Sequence, residues 1–293
     1  MVLVHSHLAQ DKFVLKWYDK SYNSGEMAKK ALKKYSKFLE SINETDESIF
    51  EKLREIKGSE DFYLFLNRIT EFFGESLHPN STKAYFSFVK DYYRRNGFRI
   101  YNEDIKQFVK IQKSPKEKKV PLEREQIAVL AKGAEKYLKG VIYCLVSSGM
   151  RASEFLQLDK SDIKWDLDPV EVHLRAEITK TKVDRITYLS PQAVENFPKL
   201  KPYDEKSSLV NLEHSFSNLR EKCGLDQKYR NTNVHHITLH RFRAFFKTEA
   251  SNMHGKDYAE DVIGHEGYLN TYYSLNDEER RIKYKELIPK VTI

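Results

Sequence analysis

Residues 239–274 read LHRFRAFFKTEASNMHGKDYAEDVIGHEGYLNTYYS and contain most of the candidate chemistry of the chain. The apolar residues of the first half recur at helical spacing and form one stripe: Leu239, Phe242, Phe246 and Ala250. His240 and Arg243 are three residues apart, and residues at this spacing lie on one face of a helix. The stretch therefore predicts a helix that presents an imidazole and a guanidinium to the same point.

The second half of this stretch adds a second histidine and a pair of tyrosines. Gly264-His265 ends an apolar run, and Tyr272-Tyr273 follows shortly after it. Metal-free chemistry at a phosphodiester needs positive charge, a proton carrier and a nucleophile. An arginine, two histidines and a tyrosine in this order are suited to these tasks.

Composition favours an anionic partner. The 293 residues carry a formal net charge of +7, and nucleic acid is the first candidate partner for such an excess. The two cysteines, Cys144 and Cys223, suggest a reducing compartment. No apolar stretch approaches the length needed to span a bilayer, and the first residues lack a signal-peptide pattern. A cytoplasmic, nucleoid-associated protein is predicted, without a membrane partner.

The N-terminal part of the chain is predicted to be a helical domain, residues 1–112. Apolar residues recur at helical spacing, and little of the sequence alternates with a period of two. The predicted helices cover residues 25–42, 48–56, 60–73, 80–93 and 104–111. Asn80 and Ser81 are the predicted caps of the fourth helix.

Residues 113–121 are predicted to be an exposed basic linker. They combine two prolines with four lysines, namely Lys113, Lys116, Lys118 and Lys119. The linker could be a solvated hinge and nothing more. We favour a strap whose lysines bind the phosphates of double-stranded DNA.

Residues 122–293 are predicted to form an α+β domain. Arg151 begins the helical segment RASEFLQL, and backbone amides at a helix start favour anions. The segments VEVHL, AEITKT and RITYL alternate apolar and polar residues and are predicted strands, with 180–184 at the tip of a hairpin. The predicted fold class is mainly α with a small antiparallel β-sheet, in two domains.

Over roughly residues 120–290 the chain resembles the tyrosine recombinase (phage integrase) family. The resemblance rests on motifs in a fixed order: SSGMRASEFLQL, ITKTK, H-x-x-R, Gly-His and then a tyrosine. The closing pattern GHEGYLNTYYSLNDEER is similar to archaeal or archaeal-virus branches. The resemblance implies a core-binding domain followed by a catalytic domain. It also implies a site-specific recombinase that cleaves and rejoins duplex DNA through a 3′-phosphotyrosyl intermediate. Such enzymes act as homo-tetramers, two protomers per site, without metal, cofactor or ATP.

The resemblance also assigns roles to individual residues. Arg151 resembles the first family arginine, and Glu154 resembles the acidic residue that supports it. Lys180 resembles the hairpin lysine, with Lys182 as the alternative. The family's H-x-x-R pair and its second histidine correspond to His240, Arg243 and His265.

The nucleophile is where the sequence departs from the family pattern. The family usually places its tyrosine nine residues after the second histidine, but position 274 is a serine here. A shortened loop would bring Tyr272 or Tyr273 into that role. We favour Tyr272, because it leaves a short spacer before Asn276 or Asp277 caps the next predicted helix. Tyr273 stays open as the alternative.

Three other functions remain compatible with the sequence. The chain could be a DNA-binding protein of the same fold that no longer cuts, or a type IB-like topoisomerase. A metal-dependent nuclease is less compatible, because its candidate ligands lack compact metal spacing: His235, His236, His240 and His254. The apolar end LIPKVTI could dock on a neighbouring protomer or on its own domain.

Overall fold

The computed structural model describes residues 3–113, 117–264 and 275–293, with side chains described from residue 10 onward. The chain divides into two compact units, Met1–Glu117 and Lys118–Ile293. The predicted fold class is confirmed, because the described residues are mainly helical and contain a small antiparallel sheet. No helix in the described ranges is both long and apolar enough to cross a membrane.

The first unit is a bundle of helices. They are α1 (Leu3–Tyr18), α2 (Tyr22–Ser41), α3 (Asp46–Glu55), α4 (Glu60–Gly74), α5 (Pro79–Arg95) and α6 (Asn102–Phe108). The sequence prediction missed α1. It also misplaced the cap of α5, whose first amides are capped by the side chain of His78 because Pro79 occupies the first turn.

The core of this bundle is built from aromatic rings. Tyr35, Tyr92 and Tyr93 are almost fully buried, and the hydroxyl groups of Tyr35 and Tyr93 lie 2.7 Å apart. The hydroxyl of Tyr92 donates to the buried carboxylate of Asp46 at 2.9 Å, and the Gln10 amide donates to the same oxygen. These partners offset part of the cost of burying the polar groups, although burial still raises the pKa of Asp46.

The second unit is organised around one apolar helix. Its helices are α7 (Arg124–Gly133), α8 (Lys136–Ser148), α9 (Ala152–Leu156), α10 (Pro191–Glu195), α11 (Ser208–Lys222), α12 (Leu239–Ile263) and α13 (Asp277–Val291). Every residue of α8 from Gly140 to Ser148 is buried. The predicted apolar stripe of α12 is confirmed, because all four of its residues are buried. Gly255, at φ 87°, breaks α12 into two parts.

The sheet lies beside α8 and α12 and has the order β1-β2-β3. Its strands are β1 (Ile163–Lys164), β2 (Val170–Leu174) and β3 (Arg185–Leu189), all antiparallel, with Leu174 opposite Arg185. The prediction of a strand at AEITKT was wrong, because residues 175–184 form turns. The Asp184 carboxylate accepts from the Ala176 amide, and the Thr179 hydroxyl accepts from the Val183 amide. These side chains bind backbone groups that a strand ladder would otherwise use.

Helix α13 packs on its own unit. Tyr284, Leu287 and Val291 are buried, and the Tyr284 hydroxyl donates to the Ser147 carbonyl of α8 at 2.8 Å. Of the two predicted caps, Asn276 and Asp277, the structure has Asn276, which forms a capping box with Glu279. Docking of this helix on its own unit, one of the two arrangements left open by the sequence, is present in the single chain.

Gly149 ends α8 in the left-handed conformation, at φ 63°, and leaves no room for a side chain. A Cβ atom at this position would lie 2.3 Å from the ring of Phe246 on α12. The glycine therefore allows the end of α8 and the face of α12 to approach each other closely.

We expect Gly149→Ala to reduce the free energy of unfolding by roughly 2–4 kcal/mol, the sum of left-handed strain and overpacking. Gly224→Ala is the matched control, because Gly224 has φ 66° but nothing within 4 Å of its Cβ position. Denaturant unfolding of both variants, also in a Phe246→Leu background, separates the two contributions. Equal losses in the two single variants would show that the Phe246 contact contributes nothing.

Candidate active site

Arg151 lies at the N-cap of α9, just beyond the end of α8. Its backbone amide and its Nη1 both donate to the carboxylate of Glu154, at 2.7 and 2.6 Å. Glu154 is fully buried, whereas the Arg151 side chain keeps 19% of its surface exposed. The arginine is therefore held by its own helix and still faces outward.

Arg185, at the start of β3, completes the surroundings of Glu154 and was not identified from the sequence. Its Nη1 and Nη2 donate to the two carboxylate oxygens of Glu154 at 3.1 and 2.6 Å. The Arg185 side chain is only 7% exposed. Burial raises the pKa of the Glu154 carboxyl, but the hydrogen bonds and charge of Arg185, followed by those of Arg151, outweigh it and hold this pKa below its usual value.

Arg243 joins the ends of α8 and α12. It is 3% exposed, and its Nη1 and Nη2 donate to the carbonyl oxygens of Gly149 and Ile263 at 2.7 and 2.5 Å. Burial, followed by the positive charges of Arg151 and Arg185, lowers the pKa of Arg243 to about 9. The guanidinium remains protonated at neutral pH, and the negative charges of Glu154 and Glu260 offset only part of the cost of burying it.

His240 lies on the exposed surface of α12 beside these arginines. Its pKa is lowered by partial desolvation and then by the positive charges of Arg243 and Arg151. The lowered pKa favours the neutral form of the imidazole, which can accept a proton. The predicted residues Arg151, Glu154, His240 and Arg243 thus lie close enough to interact, and this positively charged cluster is called the arginine pocket below.

The loop between β2 and β3 carries the two candidate lysines. Lys180 is exposed, and its side chain makes no hydrogen bond or ion pair with the described residues. The ammonium group of Lys182, at φ 58°, donates to the Glu177 carbonyl of the same loop at 2.8 Å. Lys180 is therefore the lysine whose ammonium group can reach a ligand without breaking a contact.

The described linker lysines are all exposed: Lys113, Lys118 and Lys119. Lys119 is close enough to His240 for its charge to contribute to the lowered pKa of the imidazole. The neighbouring Val120 amide donates to the Tyr229 hydroxyl at 2.9 Å, which holds this part of the linker against the second unit. Lys116 lies outside the described residues.

The second histidine and both candidate nucleophiles, His265, Tyr272 and Tyr273, also lie outside the described residues. The residue before them, Gly264, has φ 65° and lies against the side chain of Arg185. A Cβ atom at Gly264 would be 2.7 Å from Arg185 Cδ. The chain thus leaves α12 at the arginine pocket.

The histidines considered as metal ligands have separate partners. His235 donates through Nδ1 to the Asp226 carbonyl, and His254 donates through Nε2 to the Lys283 carbonyl, each at 2.8 Å. The ring of His236 packs on Tyr229. No three metal-binding side chains cluster within residues 10–113, 117–264 and 275–293.

We expect the pKa of His240 in the free protein to lie below its ordinary value of 6.5. Arg151→Gln should raise it by removing a nearby positive charge, whereas Arg281→Gln, a change on α13, should not. NMR titration of the histidine ring protons measures this, with His240→Gln for assignment. An unchanged pKa in Arg151→Gln would show that the two side chains do not share a pocket.

The lowered pKa of His240 also makes the stability of the fold depend on pH. A lowered pKa means that the unfolded chain binds the proton more readily than the folded chain does. The contribution of His240 to stability is therefore present above pH 6.5 and is lost as the pH falls through the lower, folded-state pKa. Acidification should destabilise the native sequence more than it destabilises His240→Gln.

Comparison with solved structures shows proteins of similar fold. A lambda integrase dimer bound to a COC′ core site is similar in fold, with a TM-score of 0.61 at 13% identity, over 92% of this chain and 98% of that one. A lambda integrase tetramer bound to a Holliday junction gives a TM-score of 0.59 at 14% identity, over 93% and 80%. The XerH recombinase bound to its difH substrate gives a TM-score of 0.50 at 17% identity and covers 77% of this chain and 70% of XerH.

No curated protein sequence matches the chain. The model of the phage integrase family matches residues 99–279, which is more than half of the chain. The chain therefore belongs to the phage integrase family.

Proposed function

We propose that the protein is a site-specific recombinase that cleaves and rejoins duplex DNA through a 3′-phosphotyrosyl intermediate. The observation that carries this proposal is the pocket in which Arg151, Arg243 and His240 meet, at the point where the chain leaves Gly264 toward two tyrosines. Membership of the phage integrase family supports it.

The charges of the pocket favour an anion as its ligand. Arg151 and Arg185 are paired with the carboxylate of Glu154, whereas Arg243 binds only backbone carbonyls and feels the charges of Glu154 and Glu260 from further away. The lowered pKa of Arg243 indicates that its charge is not fully compensated. A phosphodiester would supply the missing negative charge, and arginine forks bind phosphate oxygens well.

In the proposed cleavage step, the phenolate oxygen of Tyr272 attacks the scissile phosphorus and the bond to the 5′ oxygen breaks. Negative charge grows on the non-bridging oxygens, where Arg151 and Arg243 stabilise it. His240 accepts the phenol proton or binds a phosphate oxygen, and His265 donates a hydrogen bond to the phosphate.

The leaving 5′ oxygen takes a proton, and Lys180 is the proposed donor, because its exposed ammonium group lies on the loop between β2 and β3. The phosphotyrosyl ester keeps the energy of the broken bond. Attack by the 5′ hydroxyl of another strand therefore reverses the chemistry without ATP. Exchange of strands between two sites would give the recombinant product. The proposed assembly is a homo-tetramer, two protomers per site, on double-stranded DNA.

The DNA site is unknown, so the test uses a pool of duplexes with a randomised core. Each duplex carries a nick in one strand, so that cleavage a few nucleotides upstream releases a short oligonucleotide that diffuses away. The covalent complex then accumulates and survives denaturation in SDS. We expect this adduct to form in excess chelator, and sequencing the trapped DNA gives the site.

The other candidate functions predict different results in this assay or in a plasmid relaxation assay. Specific binding without any adduct would identify a DNA-binding protein that no longer cuts. DNA cleavage that leaves no adduct and stops in excess chelator would identify a metal-dependent nuclease. Relaxation of a supercoiled plasmid without joined products from two sites would identify a topoisomerase.

A further inference from the structure

We propose that Arg185 is a positioning residue of the active site, which acts by holding the carboxylate that aims Arg151 and by supporting the start of the segment that carries the nucleophile. This inference rests on the proposed function. Arg185 belongs to β3, whereas the residues it organises belong to α9 and to the end of α12.

The first argument is the geometry around Glu154. This fully buried carboxylate accepts two hydrogen bonds from Arg185, one from the Arg151 side chain and one from the Arg151 amide. The two parallel hydrogen bonds from Arg185 hold the carboxylate of Glu154 in the plane of the guanidinium. Without it, the carboxylate could rotate, and the Arg151 guanidinium would lose its fixed direction.

The second argument is the contact of Arg185 with the end of α12. The side chain of Arg185 packs against Gly264, and the neighbouring Ile263 carbonyl is bound by Arg243. The two guanidiniums therefore fix successive residues at the exit of the chain toward His265. A residue with a Cβ atom at position 264 would displace the side chain of Arg185.

The third argument excludes direct contact with DNA. Arg185 is only 7% exposed, and both its Nη atoms already donate to Glu154. The exposed Arg151 is the guanidinium that can reach a phosphate. Arg185 therefore acts through Arg151 and Gly264 and does not bind the substrate itself.

The test compares single-turnover adduct formation on two versions of the mapped duplex. One has a normal scissile phosphate and the other a methylphosphonate, which lacks the negative charge that Arg151 stabilises. We expect Arg185→Met to slow cleavage of the phosphate by roughly 10- to 100-fold, the usual effect of losing a residue that orients a catalytic group. Arg185→Met should slow cleavage of the methylphosphonate by a smaller factor. Arg151→Ala should show the same difference between the two substrates.

Two further variants make the comparison sharper. Arg185→Lys keeps the charge but not the paired hydrogen bonds, so it should recover only part of the rate. Arg281→Met is the matched control, because Arg281 is paired at 3.1 Å with Glu171, a buried carboxylate of the same sheet that does not touch Arg151. Its rates should match those of the native sequence on both substrates.

Carbon NMR titration of Glu154 tests the contact with Arg185 without DNA, because it measures the pKa of the carboxyl group. We expect Arg185→Met to raise the pKa of Glu154 more than Arg151→Met does, because Arg185 contributes more to lowering it. Equal slowing on both substrates, or no slowing, would overturn the role of Arg185. A native protein that forms no adduct while Glu154 responds as expected would instead overturn the proposed function.

Discussion

Tyr272→Phe is expected to form no covalent adduct with DNA, whereas Tyr273→Phe keeps forming it. Phenylalanine retains the ring and removes only the hydroxyl that attacks the phosphorus. Tyr272 is favoured because three residues then separate it from the cap of α13 at Asn276, where the structure has the capping box with Glu279. Peptide mapping of the trapped complex identifies the modified tyrosine directly.

Tyr203→Phe serves as the control for the loss of a tyrosine hydroxyl elsewhere, since Tyr203 is exposed and lies outside the pocket. Loss of the adduct in Tyr273→Phe alone would reverse the assignment. Adducts in both single variants but not in the double variant would show that either tyrosine can attack.

Arg243→Ala is expected to slow adduct formation by roughly 100- to 1000-fold, the usual effect of removing one donor to a developing oxyanion. It should also destabilise the fold by about 1–3 kcal/mol for each of the two buried carbonyls, Gly149 and Ile263, that lose their partner. Arg243→Lys keeps a positive charge but cannot bridge both carbonyls, so we expect intermediate losses.

Arg220→Lys separates the two effects of Arg243→Lys. Arg220 is also almost fully buried and donates to a backbone carbonyl, that of Ile237, at 2.9 Å. It should lower the melting temperature with little effect on the rate measured well below that temperature. An equal loss of rate in both lysine variants would mean that Arg243 acts through folding alone.

The helix carrying H-x-x-R was predictable, because the period of its apolar residues fixes which positions share a face. Its buried stripe and the placing of His240 beside Arg243 follow from spacing alone. The same holds for the cap at Asn276, where a polar residue three positions before a glutamate is a local signal.

Contacts between distant parts of the chain were not predictable from the sequence. Arg185 and Glu154 are 31 residues apart, and their pairing depends on how β3 lies against α9. The false strand at AEITKT has the alternation of a strand, but the side chains of Thr179 and Asp184 accept hydrogen bonds from nearby backbone amides and favour turns there.

The positive charge of Arg151, Arg185 and Arg243, which Glu154 and Glu260 offset only in part, has a practical consequence for handling the protein. We expect sulfate and phosphate ions in a purification buffer to bind at the arginine pocket and raise the melting temperature, because the unfolded chain has no such site. The same ions will compete with DNA and depress measured rates. A buffer that contains these ions should therefore lower the apparent rate of adduct formation.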